Sequence, residues 1–122
     1  MSRMTLGAYL RDDGVAILEM IEEETLLAHM TLEASDLERM IAQLADLRAT
    51  MEEVVPEVLD PGSRLPAVRS PSWQTSVALD QVVLALRHPG IGWIGSLLER
   101  GEALALSEAL AREASKLPPR NT

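Results

Sequence analysis

Residues 82 to 116 contain the feature that most constrains the fold, because two short apolar runs are separated by a turn and followed by a helical pattern. Val82 to Leu86 forms the first run, His88-Pro89-Gly90 is a turn sequence, and Ile91 to Leu98 forms the second run. Apolar runs of this length between turn signals are typical of β-strands. A helical spacing follows at Leu106, Leu110, Ala114 and Leu117. This stretch therefore predicts a strand–turn–strand–helix unit.

The first half of the chain shows the same order of elements. Three strands are predicted, at Met4 to Arg11, Val15 to Ile21 and Thr25 to Leu32. Asp12-Asp13-Gly14 predicts the first turn, because glycine accepts a positive φ and aspartate bonds its own backbone. Glu22-Glu23-Glu24 separates the second and third strands. A single helix from Ala16 to Met30 is the alternative interpretation, since several apolar residues there could share one helical face.

A helix is predicted to begin at Ser35. Its hydroxyl and the Glu38 side chain have the S-x-x-E spacing of a capping box. One apolar stripe follows at helical spacing, at Leu37, Met40, Ile41, Leu44, Leu47 and Met51. Pro56 is predicted to close the helix, because the residue before a proline avoids helical conformation.

These elements predict a single α+β domain over residues 1–122. Its antiparallel sheet has about five to six strands with two helices on one face, and a β-β-α pseudo-repeat is suggested by a shift of 66 positions. The shift places Leu32 on Leu98 and Glu33 on Glu99. The repeat units are about 4–54 and 70–117. The proline-rich segment 56–76 joins them and is predicted to pack onto the sheet or onto a second subunit.

The charge distribution limits the classes of partner. Residues 1 to 60 carry fourteen acids and four arginines (−10), and residues 61 to 122 carry five acids and seven bases (+2), which gives the net −8. Such acidity argues against direct nucleic-acid binding and favours solubility or a partner with a basic surface. Cysteine is absent, and no apolar run is long enough to span a bilayer. A cytoplasmic protein without a membrane partner is expected.

Catalytic spacings are not found. His29 lies within a predicted strand, and His88 at a turn, where a solvated side chain is the usual role. Gly90, Gly92 and Gly95 have the G-x-G-x-x-G spacing, but dinucleotide folds place it between a strand and a helix start. Here it spans a turn and the following strand. We therefore expect no catalytic residue, no cofactor and no metal.

One alternative is a hard-cation site or a small-ligand enzyme. The predicted topology brings the carboxylates of Asp12, Asp13, Glu33 and Asp36 to one end of the sheet. Carboxylate oxygens are the ligands that Ca²⁺ and Mg²⁺ prefer. A solvated acidic rim near a helix start is the simpler interpretation of the same residues.

Candidate contact residues for a protein partner are the two tryptophans, the acidic turn and the turn histidine. They are Trp73, Trp93, Glu22, Glu23, Glu24 and His88. Tryptophan is enriched at interface centres because it buries a large rigid area. In a chain without phenylalanine, the alternative is that the tryptophans fill the core.

The order of three strands, a helix, two or three strands and a second helix, with the small size and acidity, resembles type III secretion chaperones. These are acidic homodimers that bind secreted effectors, so the resemblance implies a dimeric protein-binding function. The initial helix of those chaperones has no counterpart in this order of elements.

Three functions are therefore considered. The first is a small acidic, non-catalytic protein-binding module, adaptor or chaperone-like, that forms a homodimer and uses a sheet edge, the proline-rich segment and the tryptophans. The second is an acidic inhibitor that occupies the basic nucleic-acid-binding surface of a target enzyme, as anti-defence proteins do. The third is an enzyme or metal binder that uses the acidic cluster.

Overall fold

The fold is α+β, and a computed structural model describes residues 3–120. The chain divides after Ser63 into two units, which we call unit 1 and unit 2. Unit 1 consists of β1 (Met4–Leu10), β2 (Ala16–Glu22), β3 (Thr25–Leu32) and α1 (Ala34–Ala49). Unit 2 consists of β4 (Trp73–Ala78), β5 (Gln81–His88), β6 (Gly92–Leu98) and α2 (Arg100–Ala114).

Each unit contains one three-stranded antiparallel sheet, in the order β1-β2-β3 or β4-β5-β6. Six strands and two helices agree with the prediction, but the strands are divided between two sheets, and the single sheet is not confirmed. The physical reason lies in the connections. Short turns join neighbouring strands within each unit, whereas a helix and residues 50–72 follow β3 before the next strand begins.

Residues 16–32 form two strands, so the alternative of a single helix is wrong. The two-residue turn of Glu23 and Glu24 joins β2 to β3. Both glutamates have positive φ, at 47° and 69°, which is the backbone pattern of a type I′ hairpin turn. This turn matches the right-handed twist of the strands, although neither residue is a glycine or an asparagine.

Next to the helix, the β-hairpin that precedes it has the same register in both units, but β2 and β3 have a register shift between Met20 and Ile21 that is not found between β5 and β6. Ala16 pairs with Leu32, and Val82 pairs with Leu98, so the two pairs lie 66 positions apart. The helices begin at Ala34 and Arg100, again 66 positions apart. The β-β-α pseudo-repeat itself stays a prediction.

Both helices begin one residue after a glutamate, so the predicted cap at Ser35 is wrong. The N-cap of α1 is Glu33, whose backbone N–H donates to Asp36 Oδ2 at 3.0 Å. The corresponding N–H of Glu99 donates to Glu102 Oε1 at 3.4 Å. The acidic side chain three residues after the cap accepts the hydrogen bond in each case. The capping box of α1 therefore begins at Glu33, two residues before the predicted one at Ser35.

Helix α1 ends at Ala49, well before Pro56, because the Thr50 hydroxyl and N–H both bond to the Leu47 carbonyl oxygen and close the last turn. Met51, the last residue of the predicted stripe, therefore lies outside the helix. Residues 51–72 contain no helix or strand. Most of their long apolar side chains are exposed, including Val54 and Val58, and Val68 is half-buried. Packing of segment 56–76 onto the sheet or onto a second subunit stays a prediction.

Little apolar surface is buried. Within residues 3–120, Ile17 in the central strand β2 is the one apolar residue that reaches the core, at 5% exposure. The chain exposes 11242 Å². Two separate compact globules, each of half its mass, would together expose roughly 8,000 Å². Part of the excess lies in residues 51–72, and the rest lies on the sheets and helices.

The free-energy cost of the positive φ angles at Glu24 and Leu79 can be tested by substitution. Leu79 is 99% exposed and has a φ of 57° in the two-residue turn between β4 and β5. Glycine accepts this conformation without the steric cost paid by other residues. Leu79→Gly and Glu24→Gly are each expected to stabilise the chain by about 1 kcal/mol in urea denaturation. Asp80→Gly is the control, since it adds a glycine next to the strained position, and a similar gain there would contradict the explanation.

Candidate protein-contact surfaces

The face of the unit 2 sheet beneath α2 contains an open apolar cleft of about 510 Å³. We call this face, together with the side chains of α2 that lie over it, the helix-side face of unit 2. Sheet and helix residues line the cleft, namely Trp73, Thr75, Leu84, Leu86, Leu106 and Leu110. Trp73 is 66% exposed and pairs with Leu86 of β5. The helix covers this end of the sheet only in part, so the cleft is open to a side chain from another molecule.

The opposite face of the same sheet, which we call the outer face of unit 2, contains Trp93. Trp93 pairs with Arg87, and Arg87 follows Leu86 in β5, so strand alternation places the two tryptophans on opposite faces. Trp93 is 50% exposed, and Leu97 on the same face of β6 is also exposed. The two tryptophans are not brought together, and neither fills a core.

Unit 1 also has an apolar face partly covered by its helix, which we call the helix-side face of unit 1. Leu37 of α1 lines an open cavity of about 260 Å³ together with Leu10, Leu18 and Leu32 on this face. Leu18 and Leu32 are half-buried, whereas other long apolar side chains of the face remain exposed, namely Met4, Leu6, Leu10, Met20 and Met30. This surface was not predicted, although every second residue of β1 is apolar, because the predicted helix was expected to cover the face.

The acidic turn lies at the opposite end of unit 1 from the start of α1. Glu22 is half-buried, and Glu23 and Glu24 are exposed. Their positive φ angles hold these two charged side chains in a conformation that costs free energy for residues other than glycine. The turn therefore presents adjacent negative charges at the tip of a hairpin.

His88 has a structural role in its turn. Its Nδ1 accepts hydrogen bonds from the backbone N–H groups of Gly90, at 2.9 Å, and Ile91, at 3.1 Å. The ring therefore closes the turn between β5 and β6 and is half-buried. His29 lies in β3 opposite Glu19 and is exposed. His88 thus lies at the predicted turn, and its role as a protein contact stays a prediction.

The carboxylates of the proposed cation cluster are used in local hydrogen bonds. Asp13 accepts two bonds from Arg11, at 2.6 and 2.9 Å, and one from the Val15 N–H. Glu33 and Asp36 form the N-terminal cap of α1. Among residues 3–120, no group of three or more His, Asp or Glu side chains is placed to hold a metal ion.

The Arg11–Asp13 pair gives a pH-dependent contribution to stability. Hydrogen bonds from Arg11 and Val15 lower the pKa of Asp13 from 3.8 to about 2. A lowered pKa in the folded state stabilises the fold above pH 4, and this contribution is lost as the pH falls from about 4 to about 2. Asp13→Asn is expected to flatten the fall in thermal stability over that range. Asp12→Asn, which removes a neighbouring charge, should leave the fall in thermal stability unchanged. The same dependence of thermal stability on pH in both variants would contradict the assignment of this effect to Asp13.

Tyr9 on β1 makes a cross-strand bond to β2. Its hydroxyl donates to Glu19 Oε1 at 3.2 Å. Partial loss of solvent and then the negative charge of Glu19 raise the pKa of Tyr9. The phenol therefore stays protonated as a donor, and the bond serves the sheet.

The three glycines of the G-x-G-x-x-G spacing do not open a helix. Gly90 lies in the turn before β6, Gly92 and Gly95 lie in β6, and α2 begins only at Arg100. Gly92 has a φ of +93°, so this position requires a glycine to begin the strand. A Cβ at Gly95 would make an ordinary contact of 3.9 Å with Val83. The spacing thus serves a hairpin.

Comparison of the chain with protein-family models, with curated proteins and with solved structures found no match. The similarity of element order to type III secretion chaperones therefore remains a resemblance. Within residues 3–120, neither helix has the length and apolar character needed to cross a membrane.

Proposed function

We propose that the protein is a non-catalytic protein-binding module, adaptor-like or chaperone-like, that acts as a homodimer. The observation that supports this best is the exposure of large apolar side chains on both faces of the unit 2 sheet, with Trp73 on one face and Trp93 on the other. A self-associating protein can cover one of these faces and keep the other for a different partner. Soluble monomers rarely expose extended apolar patches without such a use.

The outer face of unit 2 is the proposed partner surface. Arg87 is the cross-strand neighbour of Trp93, and tryptophan and arginine are the residue types most enriched at the energetic centres of interfaces. Leu97 extends the apolar area along β6. The two strands thus offer a flat surface with a large aromatic ring and an adjacent positive charge.

The equivalence of the two units is part of this proposal. We propose that the chain arose as a β-β-α pseudo-repeat, in which the common hairpin register and the capping acids Glu33 and Glu99 are retained. The single-domain organisation of residues 1–122 and a cytoplasmic location belong to the same proposal. The side-chain chemistry of the two units has diverged most in charge and in the tryptophans.

The experiment is affinity capture from the host lysate with the tagged full chain, with identification of bound proteins by mass spectrometry. Trp93→Ala is expected to lose the captured partner, because truncation of a central tryptophan costs about 2 kcal/mol or more of binding. Trp93→Phe should retain most of it, since an aromatic ring remains. If Trp93→Ala captures the same partner in the same amount, the outer face is not the partner surface.

A second candidate is the acidic inhibitor of a basic, nucleic-acid-binding surface. The strained Glu23-Glu24 turn and the −10 charge of residues 1 to 60 favour it. Reversal of Glu22, Glu23 and Glu24 to Lys is expected to abolish binding to such a target, and high salt should weaken it. Tight binding that is insensitive to both changes would exclude this function.

A further inference from the structure

We propose that the helix-side face of unit 1 in one copy covers the helix-side cleft of unit 2 in a second copy. This inference rests on the proposed function, because it assigns the surface that forms the homodimer. It leaves the outer face of unit 2 free for a partner. The occupant of the cleft is therefore a second molecule of the same chain.

The two surfaces are both apolar, and one is a cleft whereas the other presents protruding side chains. The unit 2 cleft of about 510 Å³ has Thr75 as its one polar lining residue, beside Trp73 and Leu110. The helix-side face of unit 1 presents exposed Leu6 and Met30 among its apolar side chains. Methionine and leucine side chains are flexible enough to fill an irregular cleft beside a rigid indole ring.

Net charge decides which units pair. Residues 1 to 63 carry fourteen acids and four arginines, −10, and residues 64 to 122 carry five acids and seven bases, +2. A contact between two copies of unit 1 would bring two charges of −10 together, whereas a contact between unit 1 and unit 2 joins opposite signs. Opposite charges favour encounter and correct pairing, and like charges oppose them. The unlike pairing is therefore preferred.

The exposed area is sufficient for a stable interface. The chain exposes 11242 Å², about 3,000 Å² more than two compact globules of half its mass. An obligate homodimer buries about 1,000 to 2,500 Å² on each partner. The excess is larger than the area that such a dimer buries on each partner.

In the proposed dimer, the two copies cover all four of their helix-side faces. Unit 1 of each copy covers unit 2 of the other, so two equivalent contacts form in one dimer. A substitution in either unit then damages both contacts of a homodimer. A mixed dimer of a unit 1 variant with a unit 2 variant keeps one contact intact.

The test uses two full-length variants, Leu6→Glu in unit 1 and Leu110→Glu in unit 2. Both side chains are largely exposed in the chain, so the substitutions should leave each unit folded. Dissociation constants are measured by sedimentation velocity, and far-UV circular dichroism confirms folding. Each variant alone is expected to dimerise at least 100-fold more weakly than the wild type. An equimolar mixture, with one variant ¹⁵N-labelled, should recover a heterodimer in native mass spectrometry.

Other outcomes overturn the pairing. If one variant dissociates and the other stays dimeric, like units pair with each other. If both variants dimerise as the wild type does, the helix-side faces are not the interface. A monomeric wild type, or a mixture without heterodimer, also contradicts the inference. Loss of partner capture in Trp93→Ala would still support a protein-binding function in each case, so failure of this pairing can be told apart from failure of partner binding. A monomeric wild type would in addition exclude the homodimeric form of the proposed function.

Salt gives a second readout that does not depend on a variant's folding. The wild-type dissociation constant should rise roughly tenfold between 50 and 500 mM salt, because screening weakens attraction between unlike units. For a contact between two copies of unit 1, the dissociation constant would fall as salt is added, because screening weakens their repulsion. Dissociation constants that fall with salt would therefore overturn the unlike pairing.

Discussion

Ile17→Ala is expected to lower the free energy of unfolding by about 3 kcal/mol, and Ile17→Val by about 1 kcal/mol. Ile17 lies in the central strand of unit 1, between Tyr9 and Thr31, and is 5% exposed. Truncation loses the transfer free energy of the removed methyl groups and leaves a cavity. Since so little apolar surface is buried elsewhere, this residue should dominate the stability of its sheet.

Urea denaturation at fixed protein concentration measures this effect, because stability coupled to self-association depends on concentration. Val55→Ala, in the exposed segment 51–72, is the control and should change stability by less than about 0.5 kcal/mol. A loss below about 1 kcal/mol for Ile17→Ala would show that the side chain is not packed as described.

Trp73→Ala is expected to weaken self-association by at least 2 kcal/mol, or about 30-fold in dissociation constant. Trp73 lines the cleft of unit 2, and in the proposed dimer its ring becomes buried against unit 1 of the second copy. The free energy of that burial is available only in the dimer, because the ring is 66% exposed in the single chain.

Trp93→Ala is the matched control for Trp73→Ala. It removes the same side chain from the same sheet, but from the outer face. Self-association should therefore change by less than threefold, or about 0.6 kcal/mol, while partner capture is lost. Equal effects of the two substitutions on dimerisation would contradict the separation of a dimer face from a partner face.

The local structure could be predicted from the sequence because its determinants are local. Gly14 has a φ of +86° in the predicted turn, and the Gly14 N–H donates to the Arg11 carbonyl oxygen at 2.9 Å. The turn at His88-Pro89-Gly90 also lies where the sequence places it. Turn residues and apolar alternation therefore located the strands other than β4 to within a few residues, whereas β4 (Trp73–Ala78) begins inside the segment predicted as a connection. The caps were misplaced because Glu33 is an uncommon N-cap, and Ser35 two residues later has a more familiar pattern.

The faces of the tryptophans could not be predicted. Alternation orders the residues within one strand, but the relation between Trp73 in β4 and Trp93 in β6 depends on the register of both hairpins. That register is set by the lengths of two turns, and a change of one residue would move a tryptophan to the other face. The division into two sheets was missed for a similar reason, since sheet membership depends on pairing between strands distant in sequence.

The sequence predicted which residues are candidate contacts, but it did not predict how they are arranged on the surface. Trp73, Trp93 and the acidic turn are exposed, but they lie on separate surfaces. The methionine- and leucine-rich face of unit 1 was assigned to the core, because apolar periodicity indicates burial without saying whether the covering surface is in the same molecule.

The most direct test of the proposed self-association is the mass of the wild-type chain in solution, measured by sedimentation equilibrium between about 1 and 100 µM. The exposed helix-side faces lead us to expect twice the chain mass of 13.3 kDa, with a dissociation constant in the micromolar range or below. A single species of 13.3 kDa throughout would contradict it and show that these apolar faces do not bring two copies together.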